Sequence, residues 1–171
     1  MRNFFKWFGV IAFFIALFFF IYSVENKQAY KQTEPTAEEK VEENNPIINN
    51  VSNIQYVKIA GVQVKVDLAL TGEAKRQGLS VREELGENEG MLFVFDQPEK
   101  YAFWMKDMKF AIDIIWLDEQ GGVVFIKRNA LPKSYPEIFK PTEDSKYVLE
   151  VPANFSLKNN LNVGDLTEFI Y

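Results

Sequence analysis

Between Trp7 and Tyr22 the chain reads WFGVIAFFIALFFFIY, a run without one charged or strongly polar side chain. A helix built from it has no polar side to present to water, so it does not suit the surface of a globular domain. Extended to Val24 the run is about 18 residues long and reaches roughly 27 Å at the helical rise, close to the hydrocarbon thickness of a bilayer. Arg2 and Lys6 precede it and Glu25 follows it, and positive charge on the first flank predicts N-in, C-out insertion. Trp7 and Tyr22 fall at the two expected interfaces. A cleaved signal peptide is the alternative. The run is longer than a usual h-region, however, and Tyr22-Ser23-Val24 places a bulky residue where a small one is needed. Residues 7–24 are expected to be a single-pass anchor in the cytoplasmic membrane, with the lipid bilayer as partner and the rest of the chain on the extracytoplasmic side.

At Glu25 the composition changes. TEPTAEEKVEENNPIINNVSN is rich in Glu, Asn and Thr, contains Pro35 and Pro46, and has no periodic apolar residues. Residues 25–53 are expected to form a disordered acidic tether, because such a segment cannot bury enough apolar surface to order itself.

The folded part is expected over 54–171, where the patterning becomes that of strands. Gln55 to Ala60 and Val62 to Ala69 alternate apolar and polar residues, the period-two signature of half-buried strands. Thr71 and Gly78 suit the two caps of a short helix through Glu73–Gln77. MLFVF after Gly90 is apolar on both faces and reads as a central strand. Tyr101–Met105 and Phe110–Leu117 read as further strands, and Asp118–Gly122 as a hairpin turn returning through Val123–Asn129. Pro132, Pro136 and Pro141 mark a long irregular loop. A strand is expected over Lys146–Val151, a helical turn over Ser156–Leu161, and a last strand over Leu166–Ile170. This is a mainly β domain, a compact barrel or sandwich with one or two short helices.

The composition narrows the chemistry. The 171 residues include no cysteine and no histidine. Disulfides, thiolate metal sites, Cys nucleophiles, imidazole bases and His-ligated metals are therefore all excluded. The net charge of −5 and the lack of Lys/Arg clusters argue against a nucleic-acid partner. Asp118-Glu119 beside two glycines lacks the spaced oxygen ligands of a calcium loop and reads as a turn. No metal or cofactor is expected.

One stretch carries a resemblance. Gly78-Leu79 with Arg82, Gly90 to Phe95, Phe103-Trp104-Met105-Lys106, Ala111-Ile112-Asp113-Ile114, Pro132, Leu149-Glu150 and Gly164-Asp165 follow, in order, the pattern of the prokaryotic domain of unknown function 192 family. FWMK after GMLFVF is its most specific part. The sequence departs from that pattern at Ser80, where Met is usual, and at Asp107-Met108, where the family has Asn-Thr. It departs again at Phe110-Ala111, in place of Ile-Pro. The resemblance implies a compact β-rich domain, often secreted or anchored, and supplies no biochemical activity.

Five residues are candidates for binding: Arg82, Trp104, Lys106, Asp113 and Glu150. Asp113 lies on a strand with no polar face, where a carboxylate needs a partner or a proton. Arg82 or Lys106 would pair with it, either as a structural ion pair or as a binding or acid/base carboxylate. Trp104 and Lys106 alternate with Met105 and so share a face, where an aromatic plate beside an ammonium can hold a ring, a sugar or a carboxylate-bearing ligand. The plainer reading is a core aromatic and a snorkelling lysine. Arg82 reads equally as a surface salt bridge. Glu150, a charge within a strand, is an exposed residue or a partner of Arg82. No catalytic residue is assigned. The functional expectation is binding of a small ligand or envelope component. The alternative is a carboxylate-based hydrolase or lyase on an envelope polymer, pairing Asp113 with Glu150 or Glu89, which requires both carboxylates to face one cleft.

Overall fold

The structure, a computed structural model, describes residues 51–171. The expected anchor, 7–24, and all but the last three residues of the expected tether lie outside them. Among the described residues no helix is long and apolar enough to cross a membrane.

Seven strands form one sheet. They are β1 (Tyr56–Ile59), β2 (Val62–Ala69), β3 (Glu89–Glu99), β4 (Ile112–Leu117), β5 (Val123–Ala130), β6 (Ser145–Pro152) and β7 (Thr167–Ile170), and their order across the sheet is β5-β4-β6-β3-β2-β1-β7. All neighbours are antiparallel except β2 and β3. A parallel pair needs a long crossover, and here residues 70–88 supply it, carrying helix α1 (Gly72–Gln77). The expected caps are in place. Thr71 Oγ1 accepts from the Ala74 amide at 3.1 Å, and Gly78 ends the helix at φ +51°. That positive φ suits glycine.

The sheet curls into a half-barrel. At one end its two edges meet: Gly122 bridges Leu166, and the Thr167 amide donates to Gly121 O at 2.9 Å. All strands belong to this one sheet, so the sandwich alternative is set aside. Alternation along each strand divides the core into two layers. Inside the curl lie Val57, Ile59, Val64, Leu92, Ile115 and Leu149. On the other face lie Phe93, Ile112, Ile114, Trp116 and Val148, together with Leu79, Phe103, Met105 and Phe139 from the connections that cover them. β4 is buried at all six positions, as expected of a strand flanked on both edges and packed on both faces. Helix α2 (Phe155–Lys158) adds Phe155 to the inner layer. Val51, near the expected tether boundary, packs partly buried against that same layer.

The segment Tyr101–Met105 departs from its expected role as a strand. Its alternation is real, with Phe103 and Met105 buried and Trp104 half exposed. It meets other backbone only at a bridge between Phe103 and Phe139, with reciprocal bonds of 2.8 Å. It lies on the sheet as a cover. An edge stacked on aromatic side chains produces the same alternation as one paired in a ladder.

Candidate functional site

The outer apolar layer is incompletely filled. Between α1, the covering segment 101–108 and the sheet there is a cavity of about 230 Å³. β3 contributes Phe93 and Phe95 to its walls, and the covering segment contributes Tyr101 and Phe103. These rings are held firmly. Phe95 stacks on Tyr101 at a centroid separation of 3.5 Å, and Phe103 stands edge-on to Phe93 at 4.9 Å and to Trp116 at 5.6 Å. Trp116 in turn donates from Nε1 to Tyr101 O at 2.9 Å, which fixes the start of the covering segment. The rim carries Trp104 and Lys106 from that segment, and Lys75 and Arg76 from α1. Lys75 Nζ sits 4.7 Å above the Phe95 ring, and burial lowers its pKa, partly opposed by Asp96.

Glu150 lies on the floor. On β6 it stands in register with Ile114 of β4 and Met91 of β3, so its neighbours across the sheet are apolar. Its Oε2 is fully buried and meets no hydrogen-bond donor. No cation among the described residues comes within ion-pair distance of it. A carboxylate cannot lose its hydration without compensation, and burial pushes its pKa up to about 8. This burial favours the neutral acid over the carboxylate, and the neutral form has an O–H to donate and an oxygen free to accept.

The five sequence candidates separate. Trp104, Lys106 and Glu150 meet at the cavity, and Trp104 and Lys106 share a face as expected. Arg82 is elsewhere: it pairs with Asp67 of β2 and, at 3.4 Å, with Glu89 at the start of β3. It thereby links the two parallel strands at the surface and forms no ion pair with Glu150 or Asp113. Asp113 is also elsewhere, and the expected cation partner is absent. Its Oδ1 accepts from the amides of Asn129 (2.7 Å) and Asn154 (3.0 Å), and its Oδ2 from that of Ser156 (2.8 Å). Three backbone N–H groups satisfy a buried carboxylate as well as an arginine does. Asn129 and Asn154 both have positive φ, +49° and +68°, so Asp113 holds two left-handed turns against the sheet. Asp113 is paired with Val151 in the ladder and Glu150 with Ile114, which puts the two carboxylates on opposite faces. Glu89 is bound to Arg82. The carboxylate pair required by a hydrolase is therefore not formed by these residues.

Sequence reasoning missed Lys75, Arg76, Phe93, Phe95 and Tyr101. Lys75 and Arg76 sit in the last turn of a six-residue helix, and the rings read as ordinary core residues. Asp107, one of the departures from the family pattern, has φ +59°. Asp and Asn both tolerate that conformation, so the exchange is a matter of the turn, while Met108 faces the cavity. Among the described residues no group of three or more acidic side chains gathers to hold a metal.

Comparison with known proteins places this fold. Residues 55–169 match the DUF192 family, described as an uncharacterised ACR. Two solved structures are similar. One is a protein of unknown function from Novosphingobium aromaticivorans, with a TM-score of 0.63 and 30% identity over 67% of this chain and 84% of that one. The other, from Sinorhizobium meliloti, is proposed to be a transcription regulator, with a TM-score of 0.62 and 27% identity over 67% of this chain and 90% of that one. No curated protein matches.

Proposed function

The chain belongs to the DUF192 family, and from that premise we propose that its domain is a non-enzymatic binding module whose cavity takes a small ring-bearing ligand. The observation that carries this reading is Glu150: a buried carboxyl with an unsatisfied oxygen, at the floor of a cavity walled by rings. Native structures rarely leave such a group without a partner, and a ligand in the cavity would supply one. The walls match that role, since ring faces and edges grip a flat apolar body. The volume sets the size. An apolar cavity of about 150 Å³ accommodates benzene, so about 230 Å³ admits one substituted ring. The reading draws Trp104, Lys106 and Glu150 from the sequence candidates and gives Arg82 and Asp113 structural tasks.

We further propose that the domain is displayed outside the cytoplasm on the anchor formed by residues 7–24. Support comes from the uncharged apolar run and from Arg2 and Lys6 before it.

Thermal-shift screening of the full chain against single-ring compounds tests the binding reading. Hits should stabilise the wild type and lose at least about tenfold in affinity in Trp104→Ala, since a hot-spot aromatic contributes upward of 1.4 kcal/mol. Stabilisation unchanged by both Trp104→Ala and Glu150→Gln would contradict the site. For the display, protease added to spheroplasts should cleave the chain beyond residue 24, and protection until the cytoplasmic membrane is lysed would contradict it.

A further inference from the structure

The charges around the cavity differ in sign and position, and this selects among ligands. Resting on the reading of the cavity as a binding site, we infer that its ligand is a single-ring organic acid. The acid enters with Glu150 in the neutral carboxyl form, so that binding is coupled to the proton on this side chain.

The sign comes from the rim. Lys75, Arg76 and Lys106 all line the cavity, and none takes part in an ion pair among the described residues. Asp96 offsets part of the charge of Lys75, and Glu99 stands beside Tyr101. The three cations lining the cavity outnumber these two carboxylates, so an anion approaching the mouth is attracted and an ammonium ligand is repelled. The proton requirement comes from the floor. β3 presents Met91 and Phe93 to Glu150, and β4 presents Ile114. Lys127 of β5 lies over Phe139 instead, 4.3 Å from the ring centroid. Around the cavity stand Lys75 and Arg76 on α1 and Lys106 and Tyr101 on the covering segment, with Asp96 and Glu99 at the end of β3 close enough to act on Lys75 and Tyr101. A second negative charge placed beside an ionised Glu150 in this apolar setting would be repelled, while a neutral Glu150 donates to the ring substituent that reaches it.

Isothermal titration of the full chain with benzoate, benzylamine and benzyl alcohol, each at pH 6 and pH 9, tests the inference. Benzoate should bind at pH 6 and weaken about tenfold at pH 9, the loss set by ionising a group with a pKa one unit below. Glu150→Gln should bind benzoate equally at both pH values, and Lys106→Ala should weaken it at both. Glu150→Met, of similar size, provides a second proton-free variant should Gln fold poorly, and it too should be indifferent to pH. The inference is overturned by benzylamine binding that tightens with pH. It is equally overturned by a pH 9 loss that persists in the proton-free variants, which would assign the loss to Lys75. Binding of benzyl alcohol alone would overturn the acid ligand and leave the cavity reading intact. Saturable binding of none of the three would overturn both.

Discussion

Asp113 and Glu150 show how the same chemical group acquires opposite tasks from its surroundings. Both are acidic side chains on adjacent strands of one sheet, and both are buried. Asp113 accepts three backbone N–H groups, and its side-chain oxygens complete two turns. Glu150 accepts none at Oε2, and burial favours its protonated form. Removing the first should therefore cost stability directly. Asp113→Ala leaves three amides without acceptors, at about 1–3 kcal/mol each when buried, so a loss of at least about 3 kcal/mol is expected in urea unfolding of the full chain. Asp113→Asn should also be destabilising, because its amide N–H₂ must face either Ser156 N–H or the two amides at Oδ1. A loss below about 1 kcal/mol for both variants would mean that the turns are held by other contacts. The buried position of Asp113 was legible in the sequence, since neither face of its strand is polar. Its partners were not, because backbone amides leave no mark in side-chain composition.

At the scale of elements, most strands were legible, and the reasons are local. β1, β2, the hairpin of β4 and β5, and the caps of α1 follow from alternation, Gly-Gly punctuation and Thr71. The covering segment was not, because Phe103 and Met105 bury their side chains on a sheet face with the same period that a ladder would impose. The cavity lay further out of reach: it depends on how α1 and this cover lean together over β3 and β6, and no residue spacing encodes that. Gly90 is a point where the elements press closest. A Cβ there would lie 2.6 Å from the carbonyl oxygen of Glu150, a backbone atom held in the ladder between β3 and β6. Gly90→Ala should thus cost about 1–3 kcal/mol by overpacking and displace β6 beneath the cavity. Gly72→Ala meets only the Arg76 side chain, at 3.5 Å, and serves as the control. If Gly90→Ala proved as stable as the wild type, the close approach of the two strands would be wrong.

At the scale of the whole described domain, a half-barrel with an aliphatic inner layer and an aromatic outer layer left partly open divides the labour of the fold. The inner layer gathers Val57, Ile59, Val64, Leu92, Ile115 and Leu149 into the core on which stability rests. The outer layer tolerates a cavity because its rings brace one another and because Trp116 ties the cover down. A buried acid without a partner is a standing cost to such a molecule, and it ties global stability to pH. In the unfolded chain Glu150 ionises near the ordinary glutamate value; in the fold, burial pushes its pKa up to about 8. Between those two values the native state holds the extra proton. Its contribution is therefore fully present at low pH and is lost as pH rises through the window, by about 1.4 kcal/mol per unit, levelling above about pH 8.

The unfolding free energy of the wild type and of Glu150→Gln, measured by urea denaturation of the full chain from pH 4.5 to pH 9, tests this account most directly. Gln cannot ionise, so the difference between the two isolates the one proton. Relative to its value at pH 4.5, that difference should move in favour of Gln by on the order of 3–5 kcal/mol by pH 8 and then stay level. A difference that does not change with pH would mean that Glu150 is ionised in the native state and finds a partner, and the cavity would lose the group on which its reading as a binding site depends.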